Sequence, residues 1–194
     1  MGGVIIKYKN TQSMVDLFKK AKTNPEAMKA ITEWDTGKIA IQDLQPVLAK
    51  LHEASKEELD GIIKGIATNT KNLDHTVIAA VKKLRANGFK TALLTNNGWI
   101  DHEHKKSVLV DDVSYFDVVV ESCKVKLRKP DAAIYLKTTE DLGIAPEACI
   151  FVDDLAMNCT GAEAVGMTSI ELAGGDSGAM LKKLTELTGV SFDN

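Results

Sequence analysis

The spacing of hydrophobic positions changes about a third of the way along the chain. Between about residues 11 and 68, apolar side chains recur at helical intervals and no segment is typical of a strand. The clearest helix follows Ser55 and Glu58, which form a capping-box pattern. Its apolar face consists of Leu59, Ile62, Ile63 and Ile66. Trp34 and Gly37 mark a break between shorter helices, so this part of the chain is predicted to be entirely helical.

From about residue 74 onward, short apolar runs alternate with helical stripes. Strands are predicted at residues 91–95, 118–120, 149–152 and 168–172. Four helices are predicted between and after these strands. The first covers residues 77–84 and ends at Gly88, the second covers 130–142 and ends at Gly143, and the third follows residue 154 and ends at Gly166. The last helix carries Met180, Leu181, Leu184 and Leu187 along one face. Strands separated by helices favour parallel βαβ units with right-handed crossovers. The sequence therefore predicts an α/β core that an all-helical insert interrupts near its N-terminus.

Length, charge and cysteine content narrow the class of protein. A chain of 194 residues suits one domain, or a core domain with a modest insertion. The net charge of -3 gives no electrostatic argument for binding to nucleic acid or to a membrane. We see neither an apolar run of about 18 residues nor a secretory signal. Cys123, Cys149 and Cys159 form no CxxC pair, so we expect reduced, mostly buried thiols in a cytoplasmic protein.

Polar side chains follow two of the predicted strands, where ligands bind in open α/β sheets. Thr95, Asn96, Asn97 and Gly98 offer a hydroxyl, amides and backbone N–H groups, which can hold an anion at a strand-to-helix turn. A polar turn with an N-cap explains these four residues equally well. Lys129 precedes Pro130 and a new helix, so it can extend into the same crevice. Taken alone, it is better explained as a solvated surface lysine.

The acidic pair after the third strand is the strongest chemical feature. Asp153 and Asp154 repel each other, and burial makes both ionised forms costly. A hard cation with oxygen ligands, typically Mg²⁺, would remove that cost. Asn158 lies four residues further on and faces the same site if a helix has begun. Paired acidic residues are also common helix caps, which is the alternative interpretation.

Three other features are weaker candidates. The DHEH run at residues 101–104 resembles a ligand cluster, but alternate residues on a helix diverge, so its histidines are predicted to be solvated. The acidic pair at residues 111–112 lies in a loop with no strand to position it. Trp99 is predicted to be a packing residue rather than a platform for substrate.

The motifs LLTNNGW, VVVESCKVKLRKPDAAIY and IFVDDLAMNCTGAEAVGM occur in that order between about residues 78 and 172. Together they resemble the haloacid dehalogenase-like hydrolase superfamily. Within it they are similar to the subgroup that contains the N-terminal phosphatase domain of soluble epoxide hydrolase and the hydrolase-like domain of certain acyl-CoA dehydrogenase family proteins. The resemblance implies a Rossmann-like core formed by residues 1–10 and 71–194, with an all-helical cap at residues 11–70.

The resemblance also implies Mg²⁺-dependent hydrolysis of a small phosphorylated molecule, and it assigns a role to each residue of the motifs. Thr95 and Asn96 would bind the phosphoryl group, Lys129 would neutralise its charge, Asp154 would bind the metal directly, and Asp153 and Asn158 would orient ligands or metal-bound water. These roles agree with phosphoryl transfer, which depends on positioned positive charge.

The first motif of the family is incomplete in this chain. That motif is an apolar strand, a nucleophilic Asp, a variable residue, an Asp or Gly, and then a Gly before an apolar run. GGVI fits its second half. Met1 then takes the variable position, and Gly2 takes the position whose carbonyl binds magnesium. A Gly there weakens protonation of the leaving group.

The nucleophilic Asp would fall immediately before Met1, and Asp16 belongs to the cap by its pattern. We therefore expect the chain as written to lack turnover. Two alternatives remain: a non-catalytic relative that binds a phosphorylated metabolite or serves as a scaffold, and a longer, competent phosphatase with an upstream start. Haloalkanoate dehalogenation would need the same Asp.

The strand that carries this Asp is normally central in the sheet, so its loss leaves two strands without a neighbour. One hypothesis is that residues 4–8 move into the strand position. Another is that a partner chain fills it by strand exchange, which would make the protein a homodimer. A loop at the first residues together with a gap between the neighbouring strands would count against both hypotheses.

Overall fold

The computed structural model describes residues 2–6, 17, 20–51, 60, 61, 64, 65 and 72–192. These residues form a mixed α/β structure with parallel strands. None of the helices in this described part is long and apolar enough to cross a bilayer. The predicted capping box at Ser55 and Glu58, its apolar helix face and Asp16 lie outside the described residues.

Two helices of the predicted helical insert are described over their full length, and the described residues 17, 20–23, 60, 61, 64 and 65 are helical as well. Helix α1 covers Pro25–Asp35 and helix α2 covers Ile41–Ala49. The side chain of Asn24 caps α1 by accepting a backbone hydrogen bond at 3.0 Å. The predicted break at Trp34 and Gly37 is confirmed, because α1 ends and α2 begins on either side of Gly37.

Four short strands form two parallel pairs. Strand β1 (Ala92–Thr95) pairs with β2 (Val118–Glu121), and β3 (Ile150–Asp153) pairs with β4 (Thr168–Glu171). Each strand begins and ends within one residue of its predicted bounds. The prediction of parallel strands is therefore confirmed.

Helices connect and flank these strands. They are α3 (His75–Ala86), α4 (Ser122–Val125), α5 (Ala132–Leu142), α6 (Ala156–Glu163) and α7 (Ser177–Thr188). Gly143 ends α5 with a φ of 64°, as predicted for a glycine C-cap. The predicted last helix is confirmed as α7, and Leu187 lies in its last turn with half of its surface exposed.

Strands β1 and β3 belong to separate two-stranded sheets, and no strand of the described residues lies between them. Residues 2–6 form a turn in which the N–H of Gly3 donates to the carbonyl of Ile6 at 3.0 Å. The carbonyl of Ile5 accepts from the N–H of Asp74 at 2.7 Å. The hypothesis that this segment moves into the strand position is therefore wrong for residues 4–6. The same turn and gap also count against the second hypothesis, strand exchange with a partner chain, by the criterion stated above.

The three cysteines are free thiols, as predicted. Cys123 and Cys159 are buried, and Cys149 is half-buried. Burial raises the pKa of the Cys123 thiol to about 12, and the Glu121 carboxylate adds to that shift. Cys123 is therefore an inert packing residue.

Candidate functional site

Lys129 lies where the carboxyl ends of β1 and β3 meet. Its Nζ is 2.5 Å from Oδ2 of Asp153 and 3.4 Å from the carbonyl oxygen of Leu94. Only 5% of its side-chain surface is exposed. The alternative of a solvated surface lysine is therefore wrong, and the ammonium is a buried, fixed positive charge between the two strand ends.

The side chain of Asn96 forms hydrogen bonds with both the backbone N–H and the backbone carbonyl of Lys129. Its Oδ1 accepts from the N–H of Lys129 at 2.9 Å, and its Nδ2 donates to the carbonyl of Lys129 at 3.0 Å. Thr95 is fully buried beside it, and its hydroxyl makes one long hydrogen bond of 3.3 Å to the Asn96 carbonyl. In this state the Asn96 amide positions the lysine, while the Thr95 hydroxyl is weakly bound and better able to accept a new partner.

Asp153 accepts hydrogen bonds on both carboxylate oxygens. Oδ2 faces Lys129, while Oδ1 accepts from Nδ2 of Asn158 at 2.8 Å and from the N–H of Leu155 at 3.0 Å. Burial alone would raise the pKa of Asp153, but the charge and hydrogen bond of Lys129, with the other donors, hold it below its ordinary value. The hydroxyl of Tyr135 binds the carbonyl of Asn158 at 2.8 Å, which fixes the start of α6. Asn158 thus faces the site as predicted.

Asp154 has the opposite environment to its neighbour. Burial raises the pKa of its carboxyl, and the negative charge of Asp153 raises it further. Among the described residues, Asp154 forms no ion pair. Gly3 lies directly against it, since a Cβ on Gly3 would be 2.0 Å from Oδ2 of Asp154. The site therefore contains one carboxylate whose ionisation burial and Asp153 disfavour, despite the attraction of Lys129, and against which backbone is packed.

This donor set fits a magnesium ion. Mg²⁺ binds through one or two carboxylates, keeps several water molecules and takes further oxygens from phosphate. In the described part of the chain, no three His, Cys, Asp or Glu side chains converge as a cage. Asp154 and neighbouring backbone carbonyls would hold the ion, which would compensate the charge that burial disfavours.

A second, largely buried ion pair joins α1 to the loop before Lys129, and no sequence motif indicated it. Nη2 of Arg128 is 2.9 Å from Oδ2 of Asp35, and Nη1 donates to the Thr32 hydroxyl at 3.1 Å. The Nε of Arg128 has no hydrogen-bond partner among the described residues. Burial raises the pKa of Asp35 to about 6, because its desolvation outweighs the attraction of Arg128.

Asp35 should make the stability of the chain depend on pH. An acid whose pKa is raised by folding holds its proton more tightly when folded, so its contribution is complete below about pH 4 and is lost as the pH rises through about 6. We expect Asp35→Asn to flatten the decline in unfolding free energy between pH 4 and 7 by on the order of 1–3 kcal/mol. Urea unfolding at several pH values measures this slope. Glu186→Gln, at an exposed carboxylate, is the control; an unchanged slope in Asp35→Asn would contradict the assignment.

Trp34 and the loop after β1 are in close contact. The indole Nε1 of Trp34 donates to the carbonyl of Trp99 at 3.1 Å. A Cβ on Gly98 would lie 2.2 Å from the Trp34 ring, so only glycine permits this approach. Trp99 is itself buried and stacks on His104 with ring centroids 5.0 Å apart. Trp99 is thus a packing residue, as predicted.

The weaker polar candidates do not form a metal site. His102 is exposed, with Nε2 3.2 Å from Oδ1 of Asp43. Asp101 accepts backbone hydrogen bonds that hold its own turn, and Asp112 does the same through Ser114. The prediction that the two histidines of the first run are solvated is confirmed, since His102 and His104 are both exposed.

Glu121 at the end of β2 is a buried carboxylate that sequence reasoning missed. Asn97 donates to it at 2.7 Å, Lys124 pairs with it at 2.5 Å, and Ser107 donates to the same carboxylate. Burial would raise the pKa of Glu121, but these three partners together lower it below its ordinary value. Its role is to fix Asn97, so the polar turn after β1 is held rigidly.

Comparisons with known proteins agree with this geometry. Residues 3–166 match the haloacid dehalogenase-like hydrolase family. The chain is 30% identical over 130 residues to bifunctional epoxide hydrolase 2 of Rattus norvegicus. This alignment covers 65% of this chain and 23% of that protein. It is 39% identical over 93 residues to acyl-CoA dehydrogenase family member 10 of Mus musculus, in an alignment that covers 48% of this chain and 8% of that protein. The chain thus spans less than a quarter of either relative.

A solved structure shows the same fold. A haloacid dehalogenase family enzyme of Bacteroides thetaiotaomicron, in complex with magnesium and inorganic phosphate, superposes with a TM-score of 0.61 at 21% identity. The superposition covers 91% of this chain and 92% of that enzyme. The resemblance inferred from the motifs is confirmed by these matches. The chain belongs to the haloacid dehalogenase-like hydrolases.

Proposed function

We propose that the site between β1 and β3 binds a small phosphorylated molecule together with Mg²⁺, in the architecture of a phosphate-ester hydrolase. The observation that carries the proposal is the buried Lys129 ammonium at the same strand ends as the carboxylate of Asp154, whose ionisation is disfavoured by burial and by Asp153. A phosphate dianion and a divalent cation complement this pair of charges. The related enzyme of Bacteroides thetaiotaomicron, which was solved with magnesium and phosphate, supports the same ligands.

Each residue of the motifs has a proposed part in this binding. The Thr95 hydroxyl and backbone N–H groups near Asn96 would donate to the phosphoryl oxygens, and Lys129 would neutralise their charge. Asp154 would bind the metal directly, with the backbone carbonyl of Gly2 as a further ligand. Asp153 and Asn158 would orient these groups and metal-bound water. Magnesium would supply charge neutralisation at the phosphoryl oxygens.

The surrounding architecture is part of the proposal. Residues 1–10 and 71–194 would form a single Rossmann-like core, and residues 11–70 would form a helical cap over its site. The contacts of Trp34 with Gly98 and of Asp35 with Arg128 support a cap placed against the phosphate loop. Such a cap would select the substrate, because its side chains would surround the phosphorylated ligand at the site.

We propose further that the 194-residue chain binds this ligand without hydrolysing it. The described carboxylates near the site are already engaged: Asp153 by Lys129 and Asn158, Asp35 by Arg128, and Asp154 by its role toward the metal. None of these three is free to attack phosphorus and form an aspartyl-phosphate. A binding or scaffolding role is therefore the second candidate function, and this engagement of the acids favours it.

An assay of two chains separates binding from hydrolysis. The 194-residue chain is incubated with p-nitrophenyl phosphate and Mg²⁺, beside a chain extended upstream by an apolar strand that ends in Asp. We expect phosphate binding by both chains and turnover by the extended chain alone. Turnover by the 194-residue chain would overturn the non-hydrolytic proposal, and inactivity of both would favour the binding role.

Asp154→Asn should weaken magnesium binding about 10–100-fold, since a neutral amide is a poorer ligand for a hard cation. Isothermal titration calorimetry with MgCl₂ measures the change. Asp141→Asn, which makes the same substitution at an exposed ion pair with Lys137, should bind magnesium as the unaltered chain does. Equal affinities in Asp154→Asn and the unaltered chain would remove Asp154 from its proposed role.

A further inference from the structure

Every polar group of Asn97, the second residue after β1, already has a partner within the protein. Its backbone N–H donates to Oγ of Ser122 at 2.9 Å, and its carbonyl accepts from the same hydroxyl at 3.0 Å. Its Nδ2 donates to the carbonyl of Val108 at 3.0 Å and to Glu121 at 2.7 Å. Its Oδ1 accepts from the thiol of Cys123 at 3.3 Å. Asn97 is also buried, so it anchors the turn after β1 rather than contacting a substrate.

The Ser122 hydroxyl bridges both backbone groups of Asn97 at the point where the strands stop pairing. The register of β1 with β2 ends at Thr95 and Glu121, and Ser122 is the next residue, the first of α4. A hydroxyl can donate one hydrogen bond and accept another, which is the combination that a backbone N–H and C=O require. Ser122 is fully buried. Without its hydroxyl, the N–H and C=O of Asn97 would be buried without partners, which is costly.

The turn that carries Ser122 is itself fixed. Glu121 is paired with Lys124 at 2.5 Å and accepts from the Ser107 hydroxyl. A Cβ on Gly37 would lie 2.2 Å from the carbonyl oxygen of Cys123, so the backbone between α1 and α2 packs directly against this turn. The Ser122 hydroxyl is therefore a rigid point to which the turn after β1 is attached.

The donors next to Asn97 are still available to a ligand. Within the part of the chain that the structure describes, the backbone N–H of Asn96 donates to no other group. The Thr95 hydroxyl makes only its long hydrogen bond of 3.3 Å. Donors of this kind stabilise an oxyanion when they are held in position before it binds. The Ser122 bridge thus separates the turn into an anchored residue and two donors that precede it.

We propose that Ser122 is a positioning residue of the phosphate site, because its hydroxyl fixes the backbone of Asn97 and so holds the Thr95 hydroxyl and the Asn96 N–H ready for phosphoryl oxygens. This inference rests on the proposed binding of a phosphorylated molecule. Ser122 touches neither phosphate nor metal in this role and acts through Asn97. A displacement of about 1 Å is enough to remove most of the benefit of such donors.

Ser122→Ala removes the bridge and tests this role. We expect the affinity for inorganic phosphate, measured by calorimetry in the presence of Mg²⁺, to fall about tenfold. The affinity for MgCl₂ alone should be unchanged, since Asp154 follows a different strand, β3. The amide of Asn97 should exchange its hydrogen faster in the variant. The amide of Val118, which donates to Thr91 at 3.2 Å in the same pair of strands, should exchange as before.

Thr138→Val is the matched control. It also removes one buried hydroxyl, which donates to the carbonyl of Ile134 at 2.8 Å inside α5. This variant should bind phosphate as the unaltered chain does, even if it is less stable. Equal losses of phosphate affinity in Thr138→Val and Ser122→Ala would show a general loosening of the structure and would overturn the role of Ser122.

A titration of the unaltered chain with inorganic phosphate and Mg²⁺ needs no variant. Bound phosphate should slow hydrogen exchange at the Asn96 amide, and a phosphorus–nitrogen coupling across the new hydrogen bond should be visible there by NMR. The same coupling at Asn97 instead would show that the ligand takes this N–H from Ser122. That result would overturn the proposal whether or not Ser122→Ala folds.

The remaining outcomes separate this inference from the proposed function. Unchanged phosphate affinity in a folded Ser122→Ala chain would contradict the role of Ser122 and leave phosphate binding in place. Unchanged exchange of the Asn97 amide in that variant would contradict it as well, because the bridge would then not hold the turn. Absence of phosphate binding by the unaltered chain would overturn the proposed function and this inference with it.

Discussion

Lys129→Met is expected to cost about 3–5 kcal/mol of unfolding free energy, because it leaves the Asp153 carboxylate buried without its ion-pair partner. Phosphate binding should be lost as well, since the fixed positive charge of the site disappears. Denaturant unfolding and calorimetry with inorganic phosphate in the presence of Mg²⁺ measure the two effects.

A double variant distinguishes the two consequences of losing Lys129. In Lys129→Met with Asp153→Asn, both charges of the pair are removed together, so most of the stability should return while phosphate binding stays absent. Lys137→Met removes an exposed lysine 2.5 Å from Asp141 and should change stability by no more than about 0.5 kcal/mol. If Lys129→Met lowers the unfolding free energy by less than about 1 kcal/mol, the ion pair of Lys129 with Asp153 contributes no more to stability than an exposed ion pair does.

Gly3→Ala is expected to lower the magnesium affinity at least about tenfold, which corresponds to 1.4 kcal/mol of binding free energy. The added Cβ would be 2.0 Å from Oδ2 of Asp154, so either the carboxylate or the first loop must move. Gly3 also has a φ of 78°, where an alanine is strained by roughly 1–2 kcal/mol. Calorimetry with MgCl₂ reports the first effect, and thermal unfolding reports the second.

Gly88→Ala is the matched control for backbone strain. Gly88 has a φ of 84°, and a Cβ there would meet no atom within 4 Å. The variant should therefore lose a similar amount of stability while its magnesium affinity is unchanged. If both variants bind magnesium normally, the contact between Gly3 and Asp154 has no part in the metal site.

The strands and their polar ends were predictable because each signal is local. A buried β-branched run followed by Asp153 and Asp154 places these carboxylates at a strand end whatever the rest of the fold does. The same applies to Thr95 after β1. Helix ends were less exact, since α5 begins at Ala132 rather than at Pro130.

Long-range pairs were not predictable in the same way. Asp35 and Arg128 are separated by 93 positions, and neither stands in a motif that names a partner. Lys129 was equally ambiguous, because burial of its ammonium depends on how the ends of β1 and β3 come together. The turn formed by residues 2–6 also depends on tertiary context: an apolar run with strand-like composition packs against α3 and the loop before it.

Both tryptophans of the chain lie at one junction, which gives the protein a built-in optical reporter. Trp34 and Trp99 are buried, and the indole of Trp34 is hydrogen-bonded to the backbone of Trp99. Intrinsic tryptophan fluorescence therefore arises wholly from the contact between α1 and the loop after β1. Opening of this contact would admit water to both rings and shift their emission to longer wavelength, so a ligand that moves α1 can be detected without any label.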